Sequence, residues 1–309
     1  IYANFGAFTG VYGRHATRQV RLKHHILAGS ALTLSVTLGA TIAWLDLSPW
    51  LLIAATALVS SAWATVALAN DMKPTGSVFV VFSVAAVGSL NNPVHPALAF
   101  AIAGSAALLC VALGQLSHLI GEGPGGDAKE TEHPSRAPDA GRVPWRRLRV
   151  EARRFFFAPL LAGVLGLISV TIFDPLSHSY WAMVAAVAPL VNSRFKVQYY
   201  RAIERVLGTL TGIAAAGFLL SHPMQGWQIV VWIVILQYLT EMYVTRNYTI
   251  AATFITPTAL LMIQVVDAAP VAPMLLARTA ETVIGAIAAL VIIAVGYVRK
   301  YPTVVLPGR

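Results

Sequence analysis

The chain reads as an all-α polytopic membrane protein: a transmembrane helical bundle of two parallel six-helix repeats, the first truncated at its start. Three observations carry this reading. Of 309 residues, 57% are apolar and 11% charged, against roughly 45–50% and about 25% in soluble domains. The apolar residues fall in continuous runs near the roughly 20 residues that cross hydrocarbon. Lys and Arg occupy alternate gaps between the runs. So few charges exclude a water-facing globular surface, and so much apolar content excludes disorder. Mean hydropathy is +0.69.

The runs follow in order. A partial run covers 1–13, and further runs cover 25–45, 49–70, 75–91 and 95–119. A polar stretch, 120–153, interrupts them. Six more runs cover 154–174, 179–193, 204–221, 225–244, 248–265 and 273–298. That makes ten spans plus a fragment. Barrel strands would alternate rather than run continuously, so the spans are helical. The organisation expected is a first membrane repeat (1–119), a linker (120–153), a second repeat (154–298) and a tail (299–309). An upstream helix is expected to precede Ile1. The linker is Gly/Pro-rich at first and then becomes the basic amphipathic segment WRRLRVEARRFFF, read as an interfacial lead-in to the next span.

Basic residues number 22 and acidic residues 13, a net charge of +9. One set of gaps holds Arg14, Arg18, Arg21 and Lys23; Lys73; the linker; Arg194, Lys196, Arg201 and Arg205; Arg246; and Arg299 and Lys300. The alternate gaps, 45–49, 91–96, 174–179, 221–226 and 265–273, hold no Lys or Arg. The positive-inside rule makes the basic set cytoplasmic and places the C-terminus inside the cell (inner) membrane. Positive charge distributed this way is an orientation signal, so no nucleic-acid partner is expected. One cysteine, Cys110, excludes a disulfide framework. The histidines lack metal-ligand spacing and no phosphate loop is present, so no metal, cofactor or ATP-driven mechanism is expected. No catalytic constellation appears, so the chain is not expected to be an enzyme.

Two internal patterns support repetition. Pro93-Val94-His95-Pro96 and Pro270-Val271-Ala272-Pro273 each precede a span, and Asn70 matches Asn247 at the same offset. Within the second half, Arg205-Val-Leu-Gly208-Thr209-Leu-Thr-Gly212 and Arg278-Thr-Ala-Glu281-Thr282-Val-Ile-Gly285 share one pattern on oppositely running spans. This suits an inverted three-plus-three arrangement inside a repeat.

The segment YWAMVAAVAPLVNSRFKVQYYRAIERVLGTLTGIAAAGFLL (180–220) resembles the FUSC superfamily, named for fusaric acid resistance. RNYTIAATFITPTALLM (246–262), RTAETVIGAIAAL (278–290) and FGAFTGVYGR (5–14) are similar to other motifs of that family. The resemblance implies a membrane exporter of small organic anions, particularly aromatic carboxylic acids, related to plant aluminium-activated malate channels. Those relatives are dimers of one six-helix unit, which implies a homodimer or a pseudo-dimer of repeats here. The chain departs from many bacterial relatives in its short linker. Ala28 and Ala101 stand in the first half where Arg205 and Arg278 stand in the second.

Candidate site residues follow from chemistry in an apolar setting. Arg201 and Arg205 are four apart and share a helix face. They read either as a cytoplasmic anion vestibule, since Arg forks a carboxylate bidentately, or as positive-inside anchors. Arg278 and Glu281 fall a turn or more into a span, where ionisable groups pair or line a cavity. They read either as a self-satisfied i, i+3 pair or as a substrate-binding arginine beside a proton-coupling carboxylate. Arg246, Asn247 and Tyr248 cluster with Glu241 and Tyr243 at one basic turn, either as pathway residues or as an interfacial belt. Three classes remain open: an exporter by uniport or proton antiport, a passive anion channel, and a non-transporting subunit with an envelope-complex partner.

Overall fold

The computed structural model describes residues 1–14, 16–117, 143–172, 180–191, 194–244, 246–266 and 270–300. The linker over 120–142 and the tail beyond 300 lie outside the described residues. Among those described the fold is all-helical. In order come α1 (Tyr2–Ala7), continued by a 3-10 turn (Phe8–Val11), then α2 (Arg18–Trp44), α3 (Pro49–Ala69), α4 (Val78–Gly88) and α5 (Pro96–Leu116). The second half holds α6 (Trp145–Ile172), α7 (Tyr180–Val187) with its 3-10 turn (Ala188–Val191), α8 (Phe195–Leu220), α9 (Gly226–Tyr243), α10 (Tyr248–Val266) and α11 (Val271–Lys300).

Each apolar run has become a helix, with informative differences. α2 and α8 begin at Arg18 and Phe195, ahead of their apolar runs. Arg, Lys and Gln propagate a helix well, and their stems snorkel toward water. For the same reason the basic segment from Trp145 is not a separate interfacial helix: it is the first part of α6. α4 and α7 are too short to cross a bilayer and α9, carrying Gln228, Gln237 and Glu241, is less apolar, so seven helices, not ten, have the length and composition to do so among the described residues. Gly76, at φ 83°, and Asn91-Asn92-Pro93 bracket α4.

The helix neighbours recur between the halves. α2 packs on α4 and α5, and α8 packs on α10 and α11. α1 lies on α5, and α7 on α11; α3 meets α4, and α9 meets α10. α6 joins the halves by packing on α3, α7 and α11, and α4 meets α7. Buried polar contacts fix that seam: Ser60 Oγ donates to the Phe155 carbonyl at 2.7 Å, and Ser61 Oγ donates to that of Ala152 at 2.9 Å. Such bonds hold well where no water competes.

The basic turns gather at one end. Thr75 Oγ1 donates to the Val191 carbonyl at 2.8 Å, and Arg14 pairs with Glu241 at 3.7 Å. At the other end Trp44 meets His95 edge-on, and Val94 N–H donates to Tyr2 Oη at 3.1 Å. The two Pro-Val-x-Pro motifs open α5 and α11 respectively. Asn70 and Asn247 do not share a role: Asn70 closes α3, donating to the Val66 carbonyl, whereas Asn247 Oδ1 accepts from Ile250 N–H at the start of α10.

Close helix crossings need glycine at two matched positions. A Cβ on Gly212 would stand 2.7 Å from the Thr253 carbonyl oxygen of α10. Pro257 has no N–H for that carbonyl, which leaves the oxygen facing α8. A Cβ on Gly285 would likewise strike the Ala182 carbonyl oxygen of α7. Each glycine lies seven residues beyond the arginine of its motif.

Candidate anion site

α8, α10 and α11 run side by side, and the short α7 fills the space against α11. Their meeting place is where the arginines converge. Arg205 of α8 is buried, and its Nη1 donates to Tyr248 Oη at 3.2 Å. One turn earlier, the Arg201 guanidinium lies 4.9 Å from the centroid of the Tyr248 ring. Tyr248 opens α10 and so touches both arginines of the α8 face.

Arg278 approaches from α11. It is 0% exposed and lies over the ring of Trp181 of α7, its Cζ 3.7 Å from the ring centroid. Nε, Nη1 and Nη2 all lack a hydrogen-bond partner. Arg205, Tyr180 and Tyr248 are within its electrostatic reach. Other buried groups here are also without partners: Arg205 Nε, Trp181 Nε1 and the Thr209 hydroxyl, one turn along α8 from Arg205. The locality is rich in donors and poor in acceptors. Burying an unpaired charge costs several kcal/mol, and two arginines repel one another. An anion accepting from both would relieve both penalties, and a carboxylate suits the planar fork of a guanidinium.

Glu281, one turn further along α11, turns to different partners. It is 0% exposed and accepts from Ser169 Oγ of α6 at 3.0 Å and from Ala182 N–H at 3.3 Å. Ala182 N–H belongs to the first turn of α7, whose donors have no partner inside the helix, and a carboxylate complements that end. Arg278 and Glu281 therefore form no ion pair: Glu281 ties α6, α7 and α11 together beside the arginine.

The structure thus brings Arg201, Arg205, Tyr248 and Arg278 together, with Glu281 adjoining. It does not bring Arg246 and Asn247 into that group. Both are exposed in the turn before α10, and the Asn247 side chain caps the helix. Sequence reasoning missed Trp181, Ser169 and Thr209. Trp181 carried one signal, a large aromatic in a run of small residues; Thr209 follows Gly208 within the arginine motif.

Residues 157–292 match the family model described as fusaric acid resistance protein-like. A relative from Bacillus subtilis (strain 168), the uncharacterized membrane protein YvaC, is 31% identical over 115 residues. That match covers 37% of this chain and 18% of the relative's length. No solved structure matches the chain. Arg201, Arg205, Tyr248, Arg278 and Glu281 all lie inside the matched segment, so the second half of the chain is similar to the fusaric acid resistance-like family, and the chain is a multi-pass membrane protein.

Proposed function

We propose that the chain exports small organic anions, aromatic carboxylic acids above all, from the cytoplasm across the cell membrane. The observation that carries the reading is the Arg278 guanidinium: fully buried, over the ring of Trp181 and donating to no acceptor. A carboxylate is held between Arg278 and Arg205, and the Trp181 and Tyr248 rings offer faces to an aromatic body. Arg201, at the outer edge of the group toward the basic turns, draws anions in from the cytoplasmic side.

The inside-negative potential favours anion exit by about 2.3 kcal/mol per charge per 100 mV, enough to drive uniport. Glu281, beside the arginine, supplies proton antiport as the coupled mode. A passive anion channel is the second reading. The anchoring of Glu281 to Ser169 and to α7 favours it, because a channel needs no exchanging carboxylate. The two halves act as a pseudo-dimer of six-helix repeats, with the C-terminus cytoplasmic. The chain works without catalysis, cofactor, metal or nucleic acid.

Efflux of a labelled hydroxybenzoate from proteoliposomes tests this, under an imposed voltage and separately under a pH gradient. Saturable efflux from the wild-type protein, lost in Arg205→Ala and Arg278→Ala, is the expected result. No flux for any of a panel of carboxylates would move the assignment to a subunit of an envelope complex.

A further inference from the structure

The first half holds a second buried basic cluster, at the basic end where α2 crosses α5. Arg21 is 7% exposed; its Nη1 donates to Ser117 Oγ at 2.9 Å, while its Nε has no partner. His25, one turn on, is 0% exposed and lies against the Tyr12 backbone. On α5, Gln115 Oε1 accepts from Arg18 Nε at 3.3 Å, and the Gln115 amide nitrogen is unpartnered. Gly114 sits at the crossing. The His25 ring packs against it, and Arg21 Nε lies 3.5 Å from the point where a Cβ on Gly114 would stand. Ser117 and Arg18 open this spot to the surface.

We infer that this cluster binds a phosphate-bearing anion, held as the headgroup of an anionic phospholipid. Two arginines, a hydroxyl and an amide donor match the oxygens of a phosphate. The lipid source follows from the neighbouring surface. Leu109, Leu113 and Leu116, each more than half exposed, form one stripe that runs along α5 away from Ser117. That stripe gives acyl chains a path beside a headgroup held at the level of the basic turns, where anionic lipid concentrates. The site is separate from the Arg205–Arg278 group and lies on different helices.

Native mass spectrometry of the purified chain tests the assignment, with titrations of phosphatidylglycerol, phosphatidylcholine and inorganic phosphate. Phosphatidylglycerol should be retained over phosphatidylcholine. Arg21→Gln should weaken that retention about ten-fold, the value of one charge-assisted hydrogen bond. Arg149→Gln, an exposed charge on the first turns of α6, should leave it unchanged. Equal losses in the two variants would reduce the effect to net charge and overturn the site. Inorganic phosphate bound as well as the lipid, with the same dependence on Arg21, would overturn the lipid source. Should Arg21→Gln not fold, Ser117→Ala removes one contact at a half-exposed position; retention unaltered in that variant overturns the proposal too.

Discussion

The guanidinium of Arg278 rests 3.7 Å above the indole of Trp181 and donates to no acceptor on the protein. A charge so placed is held by aromatic contact and by its helix rather than by an ion pair. It costs stability that a neutral side chain would not. Arg278→Met, similar in length and apolar, should therefore stabilise the fold by about 1–4 kcal/mol while abolishing anion transport. Thermal unfolding, measured alongside flux, checks both halves. A destabilised Met variant would mean that Arg278 is already paired in the protein.

Trp181 should matter through its face. Cation–π contact in a desolvated setting contributes about 2 kcal/mol, and deleting a buried indole costs about 3–5 kcal/mol of packing. Trp181→Ala should unfold at markedly lower temperature. Trp181→Phe should fold and transport, with substrate affinity several-fold weaker. Chemical unfolding and concentration-dependent efflux measure the two effects.

Tyr248 serves both arginines of α8, by its hydroxyl to Arg205 and by its ring to Arg201. Tyr248→Phe removes the first contact and keeps the second. The freed Arg205 should bind anion no worse in total charge but in a less fixed position, raising the half-saturation concentration about ten-fold. An unchanged saturation curve would show that Arg205 does not depend on this tyrosine.

Glu281 separates coupling from architecture. Glu281→Gln keeps an acceptor for Ala182 N–H and offers its amide NH2 as a donor to the Ser169 hydroxyl, so the fold and voltage-driven efflux should survive while pH-driven efflux disappears. Glu281→Ala removes the tie between α6, α7 and α11 and should weaken both. Preserved pH-driven efflux in the Gln variant would assign Glu281 to structure alone.

The glycine crossings give a stability contrast along one helix. Gly285→Ala drives a Cβ into the Ala182 carbonyl and should cost about 1–3 kcal/mol or more. Gly296→Ala, on the same helix with nothing within 4 Å, should gain up to about 1 kcal/mol of helix propensity. Thermal unfolding of the two variants compares them directly.

Helix number and order were legible because each apolar run is long and bounded by turn residues. The lengths of α4 and α7 were not, since an apolar composition does not say where a helix stops short of the bilayer's width. The convergence of Arg205 and Arg278 was hinted at by their shared motif. Their partners were hidden. An i, i+3 spacing places Arg278 and Glu281 near one another on a helix, yet Trp181 lies close to one and the start of α7 close to the other. Arg246 and Asn247 looked like pathway residues through proximity in sequence to Tyr248. The N-cap of α10 claims Asn247 instead, a local role that Asn commonly fills.

The central claim is that Arg278 and Arg205 bind a carboxylate. Calorimetric titration of the purified protein with a hydroxybenzoate tests it, comparing wild type with Arg278→Gln and with Arg246→Gln, whose arginine is exposed in the turn. The account requires saturable binding that Arg278→Gln weakens by about ten-fold or more and Arg246→Gln leaves alone. Equal affinity in wild type and Arg278→Gln, at equal folding, would contradict it.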